Sequence, residues 1–388
     1  MQVNFEQLIA PIIQTGAETI EFRAIPAKKG KGEGARCEAR GYSMGEIIVS
    51  QVVEDEVEEF EIVVRKNMLA PIRDLTDVDL SVVNRDDALH LKVKAGAGDF
   101  ELPGDSDVIP SEEEFDAAPL LEGDTLKMAL AFLEPYHTRG GRPTTGGDHT
   151  CLYLHINQAG KLVLGATTSY TAAYVSGSAL PDLPEDTRSV IQDGKAGFRM
   201  IPWELLSVGV PRSLSISREG AVILFDEEIT VRAPWVDTNV SDWPVYVCPR
   251  DVDGWKAAVS REEFVSQFRR VAQYVPMAGR PIFPLLTTMK GRMAISLEGM
   301  KGAAKTTVKA PGGDGKTTNE TPCLTIQLKG FGDQVGVVIP SVNEMIDHEQ
   351  FAGLKKAEGA GSMLFWEDCA VGETTMEKNL CVVLTPPE

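Results

Sequence analysis

A chain that repeats its own sequence at a fixed offset is committed to building the same unit more than once. Here Gly141-Arg142-Pro143 recurs as Gly279-Arg280-Pro281, and Ile201-Pro202 recurs as Ile339-Pro340, each 138 residues later. A helix-like apolar run from Leu126 to Phe132 has its counterpart at Phe264 to Arg270, in the same register. The first third joins the series less closely and lacks a Gly-Arg-Pro segment. Its stretch from Phe60 to Ile72 aligns with Gly197 to Leu206 and with Gly336 to Ile346, setting Val64, Ile201 and Ile339 in equivalent places. Each of these stretches reads as a short apolar strand running into a short helix, followed by a hairpin. The hairpins are Asp79 to Val83 with Leu89 to Lys94, Leu214 to Ser217 with Ala221 to Phe225, and Met363 to Glu367 with Leu380 to Leu384. Three units of about 130 residues account for the 388 residues, with expected bounds 1–114, 115–248 and 249–388. Units of that size are globular domains in series, since solenoid repeats run to about 20–50 residues.

Hydrophobic residues make up 43% of the chain, enough for an ordinary core in each unit. The start has no basic lead before an apolar segment, and Leu8 to Ile13 is short and interrupted by Pro11, so no secretory leader is expected. No run approaches the ~20 apolar residues of a membrane span. The six cysteines, Cys37, Cys151, Cys248, Cys323, Cys369 and Cys381, show no CxxC spacing and sit mostly among strand-like neighbours. They read as buried free thiols of a cytoplasmic protein.

The net charge of −19 argues against nucleic acid if taken as a total, because phosphate binding runs on Lys and Arg. Its distribution argues otherwise. Acidic residues gather in Glu54 to Glu59 and Glu112 to Asp116, which read as loops, whereas basic residues fall on or beside expected helices. In Arg261 to Val275, Phe264, Phe268, Val271 and Val275 form one apolar stripe, and Arg269, Arg270 and Gln273 project from the other side. Similar positions hold Arg65, Lys66 and Arg73 in the first unit. The second offers Lys127, Arg139, Arg142 and Arg212, and the third adds Lys355 and Lys356.

These features together resemble a DNA polymerase sliding clamp of the bacterial DNA polymerase III β-subunit type, in a divergent or phage-encoded form. Leu91 to Pro103 is similar to the family's first-domain strand pair ending in aromatic-x-Leu. Leu162 to Ala173 takes the place of its second-domain Thr-Asp-Gly-His-Arg-Leu turn, and Cys381 to Glu388 resembles its apolar, proline-containing tail. The resemblance covers essentially the whole chain, as pattern more than identity. It implies an α+β fold of three tandem clamp-type domains, with helices lining a ring and antiparallel sheets outside. It implies a head-to-tail homodimer encircling double-stranded DNA, with the basic residues named above in the hole. It implies a non-catalytic processivity factor that needs no cofactor, metal or membrane and works in the bacterial cytoplasm or in a phage-infected cell. The replicative polymerase and clamp loader would dock through short peptide motifs.

By the same resemblance, Phe100 and Leu102 would meet Tyr274 and Val275 across the dimer interface. The peptide pocket would draw on Thr167, Tyr170 and Ala172, on Pro244 and Val247, and on Val382, Val383, Leu384 and Pro386 in the tail. Tyr170 and Thr171 replace the family's His-Arg pair, and the tail ends Pro-Pro-Glu, so the peptide preference differs from the family's.

Competing motifs carry less. Pro311 to Thr318 looks like a phosphate loop, but Ala310 stands where the pattern requires glycine, and Lys301 to Thr321 reads as a Gly, Lys and Thr-rich loop between strands. His149, Cys151 and His155 would share one strand face, but residues six apart lie about 20 Å from each other, beyond the span of one metal ion. Five histidines and no nucleophile elbow give no hydrolytic triad. The alternative is a multi-domain β-rich structural or assembly protein arising by duplication, which would have no reason to align basic helix faces.

Overall fold

The computed structural model describes residues 1–27, 34–54, 57–96, 98–106, 116–137, 150–156, 160–167, 171–177, 183–192, 199–225, 228–236, 250, 252–274, 284–297, 305–313, 318–320, 326–340, 361–372 and 374–384. The first repeat runs β1 (Gln2–Asn4), α1 (Phe5–Gln14), β2 (Thr19–Ile25), β3 (Ala35–Tyr42), β4 (Glu46–Val53), β5 (Phe60–Arg65), α2 (Lys66–Leu69), β6 (Asp77–Arg85), β7 (Ala88–Ala95) and β8 (Gly98–Pro103). The second runs β9 (Ala118–Glu122), α3 (Gly123–Leu133), β10 (Cys151–Ile156), β11 (Leu162–Thr167), β12 (Thr171–Ser176), α4 (Glu185–Gln192), β13 (Arg199–Pro202), α5 (Trp203–Leu206), β14 (Ser213–Ile216), β15 (Gly220–Leu224) and β16 (Ile229–Pro234). The third runs β17 (Gly254–Ser260), α6 (Arg261–Ala272), β18 (Pro284–Met289), β19 (Arg292–Leu297), β20 (Lys305–Lys309), β21 (Thr318–Glu320), β22 (Gln334–Pro340), β23 (Gly361–Val371) and β24 (Thr374–Leu384).

The strand order follows one rule three times. Numbering eight strands within each repeat, the first lies beside the sixth, seventh and eighth, and the fifth lies beside the second, third and fourth. The fourth strand of one repeat then pairs with the eighth of the next. β4 joins β16 with Ile47 opposite Val231, and β12 joins β24 with Ala173 opposite Leu380. Four sheets result: A (β1-β6-β7-β8), B (β5-β2-β3-β4-β16-β15-β14-β9), C (β13-β10-β11-β12-β24-β23-β22-β17) and D (β20-β19-β18-β21). This is the expected α+β arrangement of three tandem clamp-type domains.

The described residues divide into two compact units, one holding sheets A and B and the other holding C and D. In the first, Asn4 caps α1 by accepting from the Gln7 amide, and the stripe Phe5, Leu8, Ile9 and Ile12 is buried, with Phe5 stacked on Phe22 of β2 at 5.9 Å. Gly41 of β3 leaves the space that Ile12 occupies. A band of charge crosses sheet B. Glu46 is buried and accepts from Arg232 at 2.9 Å, its Cα partner across the junction of β4 and β16, with Arg40 at 3.7 Å. Farther along the band, Arg23 reaches both Glu21 and Glu61.

In the second unit, α6 is capped by Ser260, whose hydroxyl accepts from the Glu263 amide, and it buries Phe264, Phe268 and Val271. Phe264 meets Phe365 of β23 edge-on at 5.7 Å. The end of α3 is tied down through Phe132, which packs against Phe331 at 5.0 Å, and through the Tyr136 hydroxyl, which lies 3.1 and 3.0 Å from the carbonyls of Gln327 and Lys329.

Two expectations are corrected here. The stretch read as a loop from Lys301 to Thr321 contains β20 and β21, paired with β19 and β18. Short Lys and Thr-rich strands carry little apolar signal, and neighbouring strands supply what local propensity does not. The Ile-Pro pairs also hold different places in the strand order. Ile201-Pro202 ends β13, a fifth strand, whereas Ile339-Pro340 ends β22, which pairs with β17 as a sixth strand does. A proline that donates no hydrogen bond suits the end of either strand, so the dipeptide marks a strand end and not its position.

Candidate nucleic-acid and partner interfaces

The basic residues separate by what they touch. Arg269 and Arg270 stand exposed in the last turn of α6, where the helix dipole favours cations, and they form no ion pair among the described residues. The N-terminal turn of α6 carries Glu262 and Glu263, so the helix is polarised along its length. Arg65 is exposed at the end of β5, and Arg212 is exposed just before β14. Three others have local partners. Lys66 donates to the Ile13 carbonyl at 2.9 Å and so caps α1; Arg73 pairs with Asp74 at 3.3 Å, and Lys127 with Asp124 at 3.7 Å. Arg139, Arg142, Lys355 and Lys356 lie outside the described residues.

Among the described residues, two strand edges are left open in the pattern set by the repeats. β8 is an eighth strand at the edge of sheet A, and β20 is a fourth strand at the edge of sheet D. Phe100 and Leu102 on β8 sit opposite the buried Val93 and Leu91, with Phe100 still 37% exposed. Tyr274, just past α6, is 46% exposed. Val275 lies outside the described residues.

The residues assigned to a peptide pocket fall on two faces of sheet C. Successive strand side chains point to opposite faces, so Cα partners fix which residues share one. Thr167 is opposite Ala172, Ala172 opposite Cys381, Cys381 opposite Leu364, and Leu364 opposite Val338. One row therefore crosses five strands. Ala172, Cys381, Leu364 and Val338 form a buried cluster with Val252, and Trp366 packs beside it over Gly336. Val382 lies on the other face, opposite Thr171 and Met363, and is a core residue. Val383 and Leu384 end β24. Tyr170, Pro244, Val247 and Pro386 lie outside the described residues. Sequence reasoning missed Val252, Leu364, Trp366 and Cys381 here; strict alternation counted along β24 separates Cys381 from Val382.

The chemistry of these surfaces is that of packing and charge. Burial pushes the Cys381 thiol up to about 12, and the Cys37 thiol likewise, so both stay protonated and unreactive. Among the described residues no group of three or more His, Cys, Asp or Glu side chains is placed to hold a metal ion. No helix of the described residues is long and apolar enough to cross a membrane.

No protein-family profile and no curated protein sequence matches the chain. Solved structures match over its full length. The DNA polymerase III subunit beta of Pseudomonas aeruginosa aligns with 100% of this chain and 99% of its own, at 17% identity and a TM-score of 0.66. The beta sliding clamp of Caulobacter crescentus aligns over 99% and 98% at 16% identity and a TM-score of 0.67. The beta subunit of the Streptococcus pyogenes DNA polymerase aligns over 100% and 99% at 12% identity and a TM-score of 0.67. The chain has the fold of these clamps.

Proposed function

We propose that this chain is a DNA sliding clamp, a non-catalytic processivity factor that two copies form by closing head to tail around duplex DNA. The observation that carries the proposal is the strand rule. The fourth strands β4 and β12 each meet the eighth strand of the next repeat, and among the described residues the fourth strand β20 and the eighth strand β8 have no such partner. A second copy supplies both. Two chains of three domains, bounded at 1–114, 115–248 and 249–388, then complete a cycle with no open junction, which is the closed symmetry expected of a homo-oligomer. Phe100, Leu102, Tyr274 and Val275 flank the seam in this reading.

A ring holds DNA by enclosure, so its lining needs only weak phosphate contacts and can slide. Arg65, Arg212, Arg269 and Arg270 are the exposed cations best suited to that lining, and the excess of acid elsewhere keeps the outer surface off DNA. Lys66 in its capping role contributes less. The Thr167–Ala172–Cys381 row and the tail beyond it would receive a peptide motif from a polymerase or loader, tethering the enzyme and raising its effective concentration at the primer end. Action in the cytoplasm, in a bacterium or a phage-infected cell, follows from that role. The full-length match to clamp structures supports this reading and leaves the assembly-protein alternative without support.

The test is primer extension by the cognate polymerase on a singly primed circle. The protein should lengthen the product made per binding event, and removal of residues 383–388 should abolish the gain while leaving the protein on the circle. Product lengths that are equal with and without the intact protein would refute the proposal.

A further inference from the structure

Sheet C buries apolar side chains on both of its faces, and the second of these faces needs a cover. Phe365 of β23 packs on Phe264 of α6, so its neighbour Leu364 points away from that helix, in one row with Ala172, Cys381 and Val338. All four are no more than 3% exposed. Val252 closes the same cluster and is itself buried, although it precedes β17 and belongs to no strand of the sheet. The chain's own approach to β17 therefore lies over the row.

Two residues before Val252, Arg250 is fastened to that face. Asp368 of β23 and Glu377 of β24 are Cα partners, and their parity with Leu364 and Cys381 puts both carboxylates on the side of the row. Like charges directly opposite one another on neighbouring strands repel. The Arg250 guanidinium pairs with both, its Nη2 with Asp368 and its Nε 3.9 Å from Glu377 Oε2. Lys256 of β17, opposite Val338, donates to the Arg250 carbonyl, so the backbone is held as well as the side chain. The Arg250 and Asp368 side chains are 38% and 54% exposed, which keeps the clasp weak and within reach of solvent ions.

We infer that the stretch carrying Arg250 and Val252 is a strap that shuts the Ala172–Cys381 row in the free protein, and that the clasp of Arg250 on Asp368 and Glu377 sets how readily a partner's apolar side chain takes the place of Val252. This rests on the reading of that row as the surface that receives a peptide. The row is then a closed site: docking must unfasten the strap, and the apparent affinity is lowered by the fraction of molecules in which the strap stands open. Salt, which screens the clasp, favours opening.

Cys381 supplies a readout that needs no partner. Burial pushes its thiol up to about 12, so it alkylates only while the row is open to water. The full chain would be treated with iodoacetamide and the modification followed at Cys381 by peptide mass spectrometry, with the buried Cys151 on β10 of the same sheet as the control for the fold. Arg250→Gln should speed labelling of Cys381 by roughly fivefold, the weight of a part-exposed ion pair, and leave Cys151 unchanged. Arg250→Glu combined with Asp368→Lys and Glu377→Lys should bring the rate back close to that of wild type. In about 1 M salt the gap between wild type and Arg250→Gln should close. The polymerase concentration needed for half-maximal processive extension should fall in Arg250→Gln by the same factor as the labelling rises. Labelling of Cys381 that is indifferent to Arg250→Gln, that the exchanged charges do not restore, or that rises together with Cys151 would overturn the strap. Faster labelling with an unchanged polymerase requirement would leave the strap in place and overturn the reading of the row as the docking surface.

Discussion

The Glu46→Gln substitution probes the internal junction of β4 and β16, which the proposed ring closure would repeat between copies. Glu46 is 3% exposed, accepts from Arg232 at 2.9 Å and lies 3.7 Å from Arg40, whose own second partner is Glu38 at 3.4 Å. Removing the charge leaves two guanidinium groups, each 15% exposed, facing a neutral amide. Breaking one side of a buried pair costs about 3–5 kcal/mol; the remaining hydrogen bond from Gln and the partial exposure of both arginines lower the expectation to about 2–3 kcal/mol. For a folding unit of this size, each kcal/mol moves Tm by about 2–4 °C, so the transition of the unit holding sheet B should fall by about 4–12 °C. Differential scanning calorimetry of the whole chain reads this directly. Replacing both partners by Met should recover most of the loss, because a packed apolar pair removes the desolvation cost on both sides. A drop of less than about 1 °C for Glu46→Gln would show that the junction is held by the strand ladder alone.

Three further outcomes follow from particular side chains. Burial pushes the Glu21 carboxyl up to about 7 from 4.5, aided by its hydrogen bond with Glu61 and opposed by Arg23, so its proton is released at lower pH in the unfolded chain than in the folded one. The stability tied to that proton is present below about 4.5 and lost as the pH rises to about 7. The Tm advantage of Glu21→Gln over wild type should therefore grow across that window and level off above it; a constant difference would contradict the assignment. Gly336→Ala places a methyl group against the Trp366 indole and should cost about 1–3 kcal/mol while shifting tryptophan emission to the red, and unchanged emission would mean that Trp366 does not rest on that glycine. Phe100→Arg, on the edge of β8, should leave the far-UV circular dichroism spectrum unchanged yet give a monomer by light scattering at micromolar protein; an intact dimer would move the interface elsewhere.

Much of this fold was legible because the repeat set the frame and alternation located the hairpins. All three expected hairpins form, as β6 with β7, β14 with β15 and β23 with β24. The amphipathic α6 formed on the stripe read for it, ending at Ala272 with Gln273 as its cap. The elements that escaped have physical reasons. Helix α1 contains Pro11, which reads locally as an interruption, yet the helix is held by Asn4 at one end, Lys66 at the other and a buried stripe between. Strands β20 and β21 owe their extension to pairing with β19 and β18 and not to their own Lys and Thr residues. Among the residues proposed for a peptide pocket, sequence joined Val382 to Ala172. The pairing of Ala172 with Cys381 assigns them to opposite faces, which only the register between β12 and β24 reveals. For the basic residues, sequence placed them near helices but carried no sign that Lys66 spends its charge on a helix end.

Enclosure of DNA is the central claim, and retention on a closed circle tests it most directly. Protein re-associated from high salt around a nicked circular duplex would be gel-filtered, and the circle then cut once with a restriction enzyme. A sliding clamp should co-elute with the circle at a mass near two chains of 42.1 kDa and be lost once the DNA has free ends. Equal retention on circular and linear DNA, or none on either, would contradict it.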